Sequence, residues 1–294
     1  DNSDFTLTTQ TISITGSSSA TQTITIPILD DSLEEQHSEY FVLSLENASG
    51  ISIAGTTTAT IYIVDNDSQA PSPSNQIELN YIGSFDPSGA STSTCEIVVH
   101  DTASQRLFTT SAVAGFLDII DFSNPTTPSV ITSVNINPYG GVTSVAVKNG
   151  IVAVASPNAD ETLNGSVLFF DTNGTFLKQV TVGALPDMIT FSPDGTKVMT
   201  ANEGQPNVDY SVDPEGSVSI IDISGGIANL SQSNVNTLLF TAYNAQEAAL
   251  IASGVRKLKL TSTLSQDFEP EYITISSDSQ KAWITLQENN AIAE

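Results

Sequence analysis

Hydrophobic side chains in the first part of the chain fall in short alternating runs. Between Thr23 and Ile28, residues Ile24, Ile26 and Ile28 take every second position, and between Phe41 and Leu45 so do Phe41, Leu43 and Leu45. An extended backbone sends successive side chains to opposite faces, so a period of two predicts strands with one buried face. A third run, Ala59 to Val64, follows a Gly- and Thr-rich turn. No stretch of this region has the i, i+3, i+4 spacing of a helix over a useful length. Antiparallel strands packed as a β-sandwich are the expected architecture.

Further along, the pattern repeats. Gly115 to Asp121, Gly165 to Asp171 and Gly216 to Asp222 each run from a glycine to an apolar residue followed by Asp, at intervals of 50 and 51 residues. Another strand pattern lies upstream of each, at Ile97–His100, Val145–Val147 and Met188–Phe191, and again at Tyr272–Ile275. Ser192-Pro-Asp-Gly195 and Ser276-Ser-Asp-Ser279 follow two of these strands as hairpin turns, where Pro pre-sets φ and Gly supplies a positive φ. A repeat of roughly 40–50 residues built of strands and tight turns is a β-propeller blade, whose faces are buried only by neighbouring blades. Four blade starts are expected. The spacing breaks near residues 225–268, where Ala245 to Ala252 has helical composition, and an insertion between blades is expected there. Too few strands precede Asp30 for a full sandwich, and the last residues fall where another blade strand is due, so both architectures are expected to be partial.

Charge divides the chain. Asp and Glu number 33 against 8 Lys and Arg, a net charge of −25, which repels nucleic acid and anionic membranes. Residues 1 to 68 hold ten acids (Asp1, Asp4, Asp30, Asp31, Glu34, Glu35, Glu39, Glu46, Asp65 and Asp67) and no basic residue; Arg106 is the first. Ser68 to Asn75 is polar and punctuated by Pro. The expected organisation is a sandwich over 1–68, a linker over 69–76 and a partial propeller over 77–294. Cys95 is the only cysteine, which excludes an intrachain disulfide and a thiolate metal cluster. No apolar run approaches the length of a membrane-spanning helix.

Ile28-Leu-Asp-Asp-Ser-Leu-Glu-Glu35, Glu39-Tyr-Phe-Val-Leu43 and Ile63-Val-Asp-Asn-Asp67 resemble a Calx-β domain, an immunoglobulin-like sandwich, here without its first strand. The resemblance implies calcium ligands at Asp30, Asp31, Glu35, Glu39, Asp65 and Asp67. The second region is similar to the propeller of choice-of-anchor I proteins, mainly bacterial surface proteins. Pro186-Asp-Met-Ile-Thr-Phe-Ser-Pro-Asp-Gly195, Ala201-Asn-Glu-Gly204, Asp213 to Asp222, Glu269-Pro-Glu-Tyr-Ile273 and Thr285 to Asn290 carry that likeness. It implies a surface location more strongly than any chemistry.

The residues themselves also point to calcium. Ca²⁺ takes six to eight oxygen ligands, and adjacent Asp residues beside further carboxylate loops offer that number. Two carboxylates about 4 Å apart repel by roughly 4 kcal/mol at an effective dielectric near 20, so a crowd of them needs a cation or a proton. The competing reading is a solvated acidic loop. In the propeller, Glu96, Asp187 and Glu271 stand at matching positions just before the first strands of their blades, with Thr143 at the equivalent place in the second. Glu203 and Glu288 follow second strands. Together these five acids are expected to form a cation site at the propeller mouth, against a competing reading of turn solvation.

Asp121, Asp171 and Asp222 are read as turn caps, His37 as loop polarity, His100 as a structural histidine on an apolar face and Cys95 as an inert thiol. The sequence lacks a Gly-x-Ser-x-Gly elbow, a phosphate-cradling Gly-rich loop and a zinc-type His pair. The expected function is that of a secreted or cell-surface bacterial protein, calcium-binding and structural or adhesive. Neighbouring domains of a longer chain and a surface glycan or protein are its expected partners. A calcium-dependent phosphoesterase using the propeller as scaffold is the alternative.

Overall fold

The computed structural model describes residues 5–6, 10–13, 21–30, 39–50, 53, 57–63, 81–87 and 95–294. The chain divides into two compact units, Asp1–Asn80 and Tyr81–Glu294.

In the first unit, β1 (Glu39–Ser44) pairs antiparallel with β2 (Thr58–Ile63), Phe41 opposite Ile61 and Leu43 opposite Ala59. The alternation read from the sequence is present in β1, where Phe41 is buried, Val42 exposed and Leu43 half-buried. Phe5 stacks on Phe41 with ring centroids 4.3 Å apart and forms a single bridge to Ile28. Among the described residues the run from Thr23 to Ile28 makes that bridge and accepts a hydrogen bond at Pro27 O from Thr6 N–H at 3.2 Å, and Ile24 and Ile28 are exposed. Among the described residues no second sheet covers the Ile24, Ile26 and Ile28 face. The unit is β-structured, and its described residues contain one two-stranded sheet.

The second unit contains four antiparallel meanders. The first is β3 (Cys95–Asp101), β4 (Arg106–Ser111), β5 (Phe116–Asp121) and β6 (Ser129–Asn135); the second is β7 (Ser144–Lys148), β8 (Ile151–Ser156), β9 (Asn164–Asp171) and β10 (Phe176–Ala184). The third is β11 (Pro186–Phe191), β12 (Lys197–Asn202), β13 (Ser217–Asp222) and β14 (Val235–Leu239); the fourth is β15 (Pro270–Ile275), β16 (Ala282–Leu286) and β17 (Ala291–Ala293). Each glycine-to-aspartate repeat is the third strand of its sheet: β5, β9 and β13.

Period-two alternation here buries both faces. In the second sheet Val152, Val154, Leu168 and Phe170 pack with Phe108, Leu117 and Ile119 of the first sheet. Their neighbours along the same strands, Ala153, Ala155, Val167 and Phe169, pack with Ile189, Val198 and Ile221 of the third. Met199, Ala201 and Val218 then meet Ile273, Ile284 and Leu286 of the fourth. A sheet apolar on both sides is stable only between two others, which is the packing logic of propeller blades. The arrangement is propeller-like, and the first strands β3, β7, β11 and β15 are neighbours in that order.

Two expectations change. The insertion expected near 225–268 begins later, because Val235–Leu239 is β14, the outer strand of the third sheet, paired with β13 from Ser217↔Leu239 to Ile221↔Val235. The irregular part starts at Phe240 and includes α1 (Glu247–Ala252) and α2 (Leu264–Asp267). His100, expected on an apolar face, is exposed. The inward positions of β3 are the flanking Ile97 and Val99, and the imidazole meets Phe122 edge-on at 5.6 Å.

Candidate functional site

The first strands of three sheets share one irregularity. Pairing with the second strand slips between Cys95 and Val98, between Pro186 and Met188, and between Pro270 and Tyr272. Glu96, Asp187 and Glu271 occupy these slips. A bulge takes a residue out of the ladder and re-aims its side chain, so each of these acids is freed from the alternation of its strand. In the second sheet, Thr143 just ahead of β7 instead donates its hydroxyl to the Pro186 carbonyl at 2.6 Å, tying that sheet to the start of β11.

The loops that leave the second strands carry the other acids. After β12, the Glu203 N–H donates to Leu185 O at 2.8 Å and Gly204 N–H to Ala184 O at 3.1 Å. Gly204 has φ +70°, and a Cβ there would stand 2.8 Å from the backbone of Glu215 and Gly216. A Cβ on Gly216 would in turn lie 1.9 Å from Phe268 O. Glycine at both positions lets the chain at 203–204, 215–216 and 268 approach closely. Glu203 is thereby gathered with Glu269, while Glu288 follows β16 and Glu271 lies in β15.

These carboxyls sense one another. Burial raises Asp187, and the charge of Glu96 adds to it. Glu203 is pushed up to about 7 by burial, then by Asp187, Glu269, Glu288 and Glu161. Glu269 reaches about 7 through burial and the charges of Glu288, Asp267 and Asp213. Glu271 reaches about 8: burial leads, followed by Glu288, close enough to share a hydrogen bond, and by the charges of Glu203 and Asp187. No lysine or arginine pulls any of the four down. The Oε2 atom of Glu288 is buried with no hydrogen-bond partner. Like charges held together out of water cannot all ionise, so the group must keep protons or take up a cation. Among the described residues, no three or more His, Cys, Asp or Glu side chains already form a metal-holding group.

Of the five acids expected at the propeller mouth, Asp187, Glu203, Glu271 and Glu288 are thus electrostatically joined. Glu96 is exposed and touches the group through its charge on Asp187. Glu269 was not anticipated. It stands outside the strand pattern and is half-buried where the irregular segment before it approaches Gly216 and its N–H reaches Asn289 Oδ1. Glu161, in the loop after β8, is a second unanticipated contributor.

In the first unit, Asp31, Glu35, Asp65 and Asp67 lie outside the described residues, as does His37. Asp30 lies within them, and Glu39 opens β1. The remaining aspartates cap turns: Asp121 accepts from Ser123 N–H at 2.9 Å, Asp171 from Asn173 and Thr175 N–H at 2.8 Å, and Asp222 from Ser224 N–H at 2.9 Å. Cys95 is an exposed free thiol.

The choice-of-anchor I domain family matches residues 96–294. No curated protein matches the chain. Among solved structures, hydrazine synthase of Kuenenia stuttgartiensis is 14% identical over 65% of this chain and 49% of its own, with a TM-score of 0.42. A protein from Lactobacillus plantarum is 14% identical over 64% of this chain and 49% of its own, with a TM-score of 0.40. A protein of unknown function from Bacteroides caccae is 10% identical over 70% of this chain and 61% of its own, with a TM-score of 0.38. The chain spans about half the length of the first two. Among the described residues no helix is long and apolar enough to cross a membrane.

Proposed function

Since the chain belongs to the choice-of-anchor I family, we propose that it is a secreted or cell-surface bacterial protein with a structural or adhesive role, whose propeller-like unit takes up calcium at its acidic mouth. Asp187, Glu203, Glu271 and Glu288 would hold the ion, with Glu269 beside them. The observation that carries this reading is a set of half-buried carboxyls, pushed up to about 7 and 8 by burial and by one another, with no basic side chain to balance them.

The donors fit the ion. They are hard oxygens, as Ca²⁺ prefers, and one of them, Glu288 Oε2, is buried without a partner. Calcium would supply the positive charge that lets these groups ionise at neutral pH. Since Asp187 and Glu271 belong to the first strands of adjacent sheets, its binding would stiffen the junction between them. A stiffer unit suits a spacer or a platform for a surface glycan or protein. No observation favours the phosphoesterase alternative, whose anionic substrate the same carboxylates would repel.

The first unit supports a separate proposal on charge alone. Ten acids without a basic residue over residues 1–68 favour a second calcium site of the Calx-β kind, with Asp30, Asp31, Glu35, Glu39, Asp65 and Asp67 as ligands. Calorimetric titration of calcium into the full chain, with and without the pair Glu203→Gln and Glu271→Gln, tests the mouth. Binding by the wild type that the pair weakens supports it; identical titrations contradict it.

A further inference from the structure

Two residues that touch no ligand in the reading above lock the irregular segment to the acidic loops. Asn289, directly after Glu288, is fully buried. Its Nδ2 donates to Asp267 O and Asp267 Oδ2, both at 2.9 Å, and to Arg256 O at 3.1 Å. Its backbone carbonyl accepts from Arg256 N–H at 2.8 Å. Asp267, two residues ahead of Glu269, is 5% exposed. Its carboxylate accepts from Leu258 N–H at 3.1 and 2.9 Å and from Lys259 N–H at 2.6 Å, besides the Asn289 amide.

A buried carboxylate with this many donors is satisfied, and its oxygens are committed to the backbone rather than to an ion. The network therefore has a different use. It fixes Asp267, two residues ahead of Glu269, on one side and Asn289, directly after Glu288, on the other. Asn289 Oδ1 also accepts from Glu269 N–H at 3.5 Å, so the backbone on both sides, at Glu269 and beside Glu288, is held by the same network.

We infer that Asn289 and Asp267 are positioning residues of the acidic mouth, setting Glu288 against Glu269 and coupling the site to the segment 256–259. The inference rests on the cation reading of the mouth. Residues that orient ligands without binding the metal change its affinity by roughly 10–100-fold when removed.

Terbium, a luminescent stand-in for calcium, tests this on the full chain. Its affinity and its excited-state lifetimes in light and heavy water, which report bound waters, are measured for the wild type, Glu271→Gln and Asn289→Ala. The expected result is that Asn289→Ala weakens binding by roughly 10–100-fold and leaves more water on the ion, because Glu288 is no longer aimed. A loss of packing alone would lower the melting temperature without adding water to the bound ion. If Asn289→Ala does not fold, Asp267→Asn, which keeps the volume and removes the charge that receives the amides, gives the same readings. Wild-type binding weakened by Glu271→Gln but unchanged in affinity and lifetime by the positioning variants overturns the inference alone. No binding by the wild type overturns the cation reading and this inference with it.

Discussion

Acidic side chains occur in two settings in the second unit, and the two are opposites. At the turns, Asp121, Asp171, Asp194, Asp222 and Asp278 accept hydrogen bonds from nearby N–H and O–H groups, and these bonds hold their carboxyls below the usual range, Asp194 down to about 2. In the acidic group around β11 and β15, Asp187, Glu203, Glu269 and Glu271 lie half-buried beside one another and are pushed up. The same functional group is a finished structural cap where donors surround it. Where other carboxyls surround it, ionisation is costly, and a proton or a cation must offset the charge. Local donors, rather than the density of acids along the chain, separate the two roles.

The contrast can be broken at several points. The largest effect is expected from Gly216→Ala, whose Cβ would meet Phe268 O at 1.9 Å and prise apart the loops that gather Glu203 and Glu269. A loss of about 2–3 kcal/mol, read by chemical denaturation, is expected from such overpacking, together with loss of the calcium response. Turn aspartates should stay protected in this variant.

Adding calcium at about a hundred times its dissociation constant should stabilise the unit by about 2.7 kcal/mol, a rise in melting temperature of about 5–10 °C that a chelator reverses.

Without calcium, pH should act in the opposite direction on the two settings. A carboxyl raised by folding binds its proton more tightly folded than unfolded. Its stabilising effect is complete below the ordinary value of 4.5 and is lost as pH climbs through the folded values of about 7 and 8. The turn aspartates, lowered by folding, lose theirs only as pH falls below about 4. The unfolding free energy from pH 5 to 9 should therefore decline in chelator, by on the order of 1–2 kcal/mol given partial exposure, and flatten in calcium.

Glu271→Gln should make the metal-free protein slightly more stable near pH 8, by about 1 kcal/mol or less, while weakening calcium binding. The smallest effect is expected from Asp194→Ala. Removing the carboxylate that accepts from Ser192 and Thr196 should lower the melting temperature slightly and leave the calcium response intact.

Much of the second unit was legible because its signals are local. The glycine-to-aspartate repeat marked β5, β9 and β13, and the Ser192 and Ser276 turns marked the hairpins that follow β11 and β15. β14 escaped because Val235-Asn-Thr-Leu-Leu239 lacks that glycine start and is a strand only by pairing with β13. The Thr23–Ile28 run shows the reverse, a strand pattern with one bridge among the described residues. At the mouth, spacing drew attention to Asp187, Glu203, Glu271 and Glu288. The bulges at Asp187 and Glu271 and the half-burial of all four depend on pairings between distant strands, and Glu269 depends on how a non-repeating segment folds back, so neither could be read from local pattern.

The most direct test is calorimetric titration of calcium into the full chain at about pH 7, repeated in buffers of different ionisation enthalpy. Carboxyls that hold protons near neutrality must surrender them to make room for the ion, so binding should release protons and tighten as pH rises from about 6 to 8. Absence of binding, or binding to the mouth without proton release and with an affinity that does not change with pH, would contradict the account.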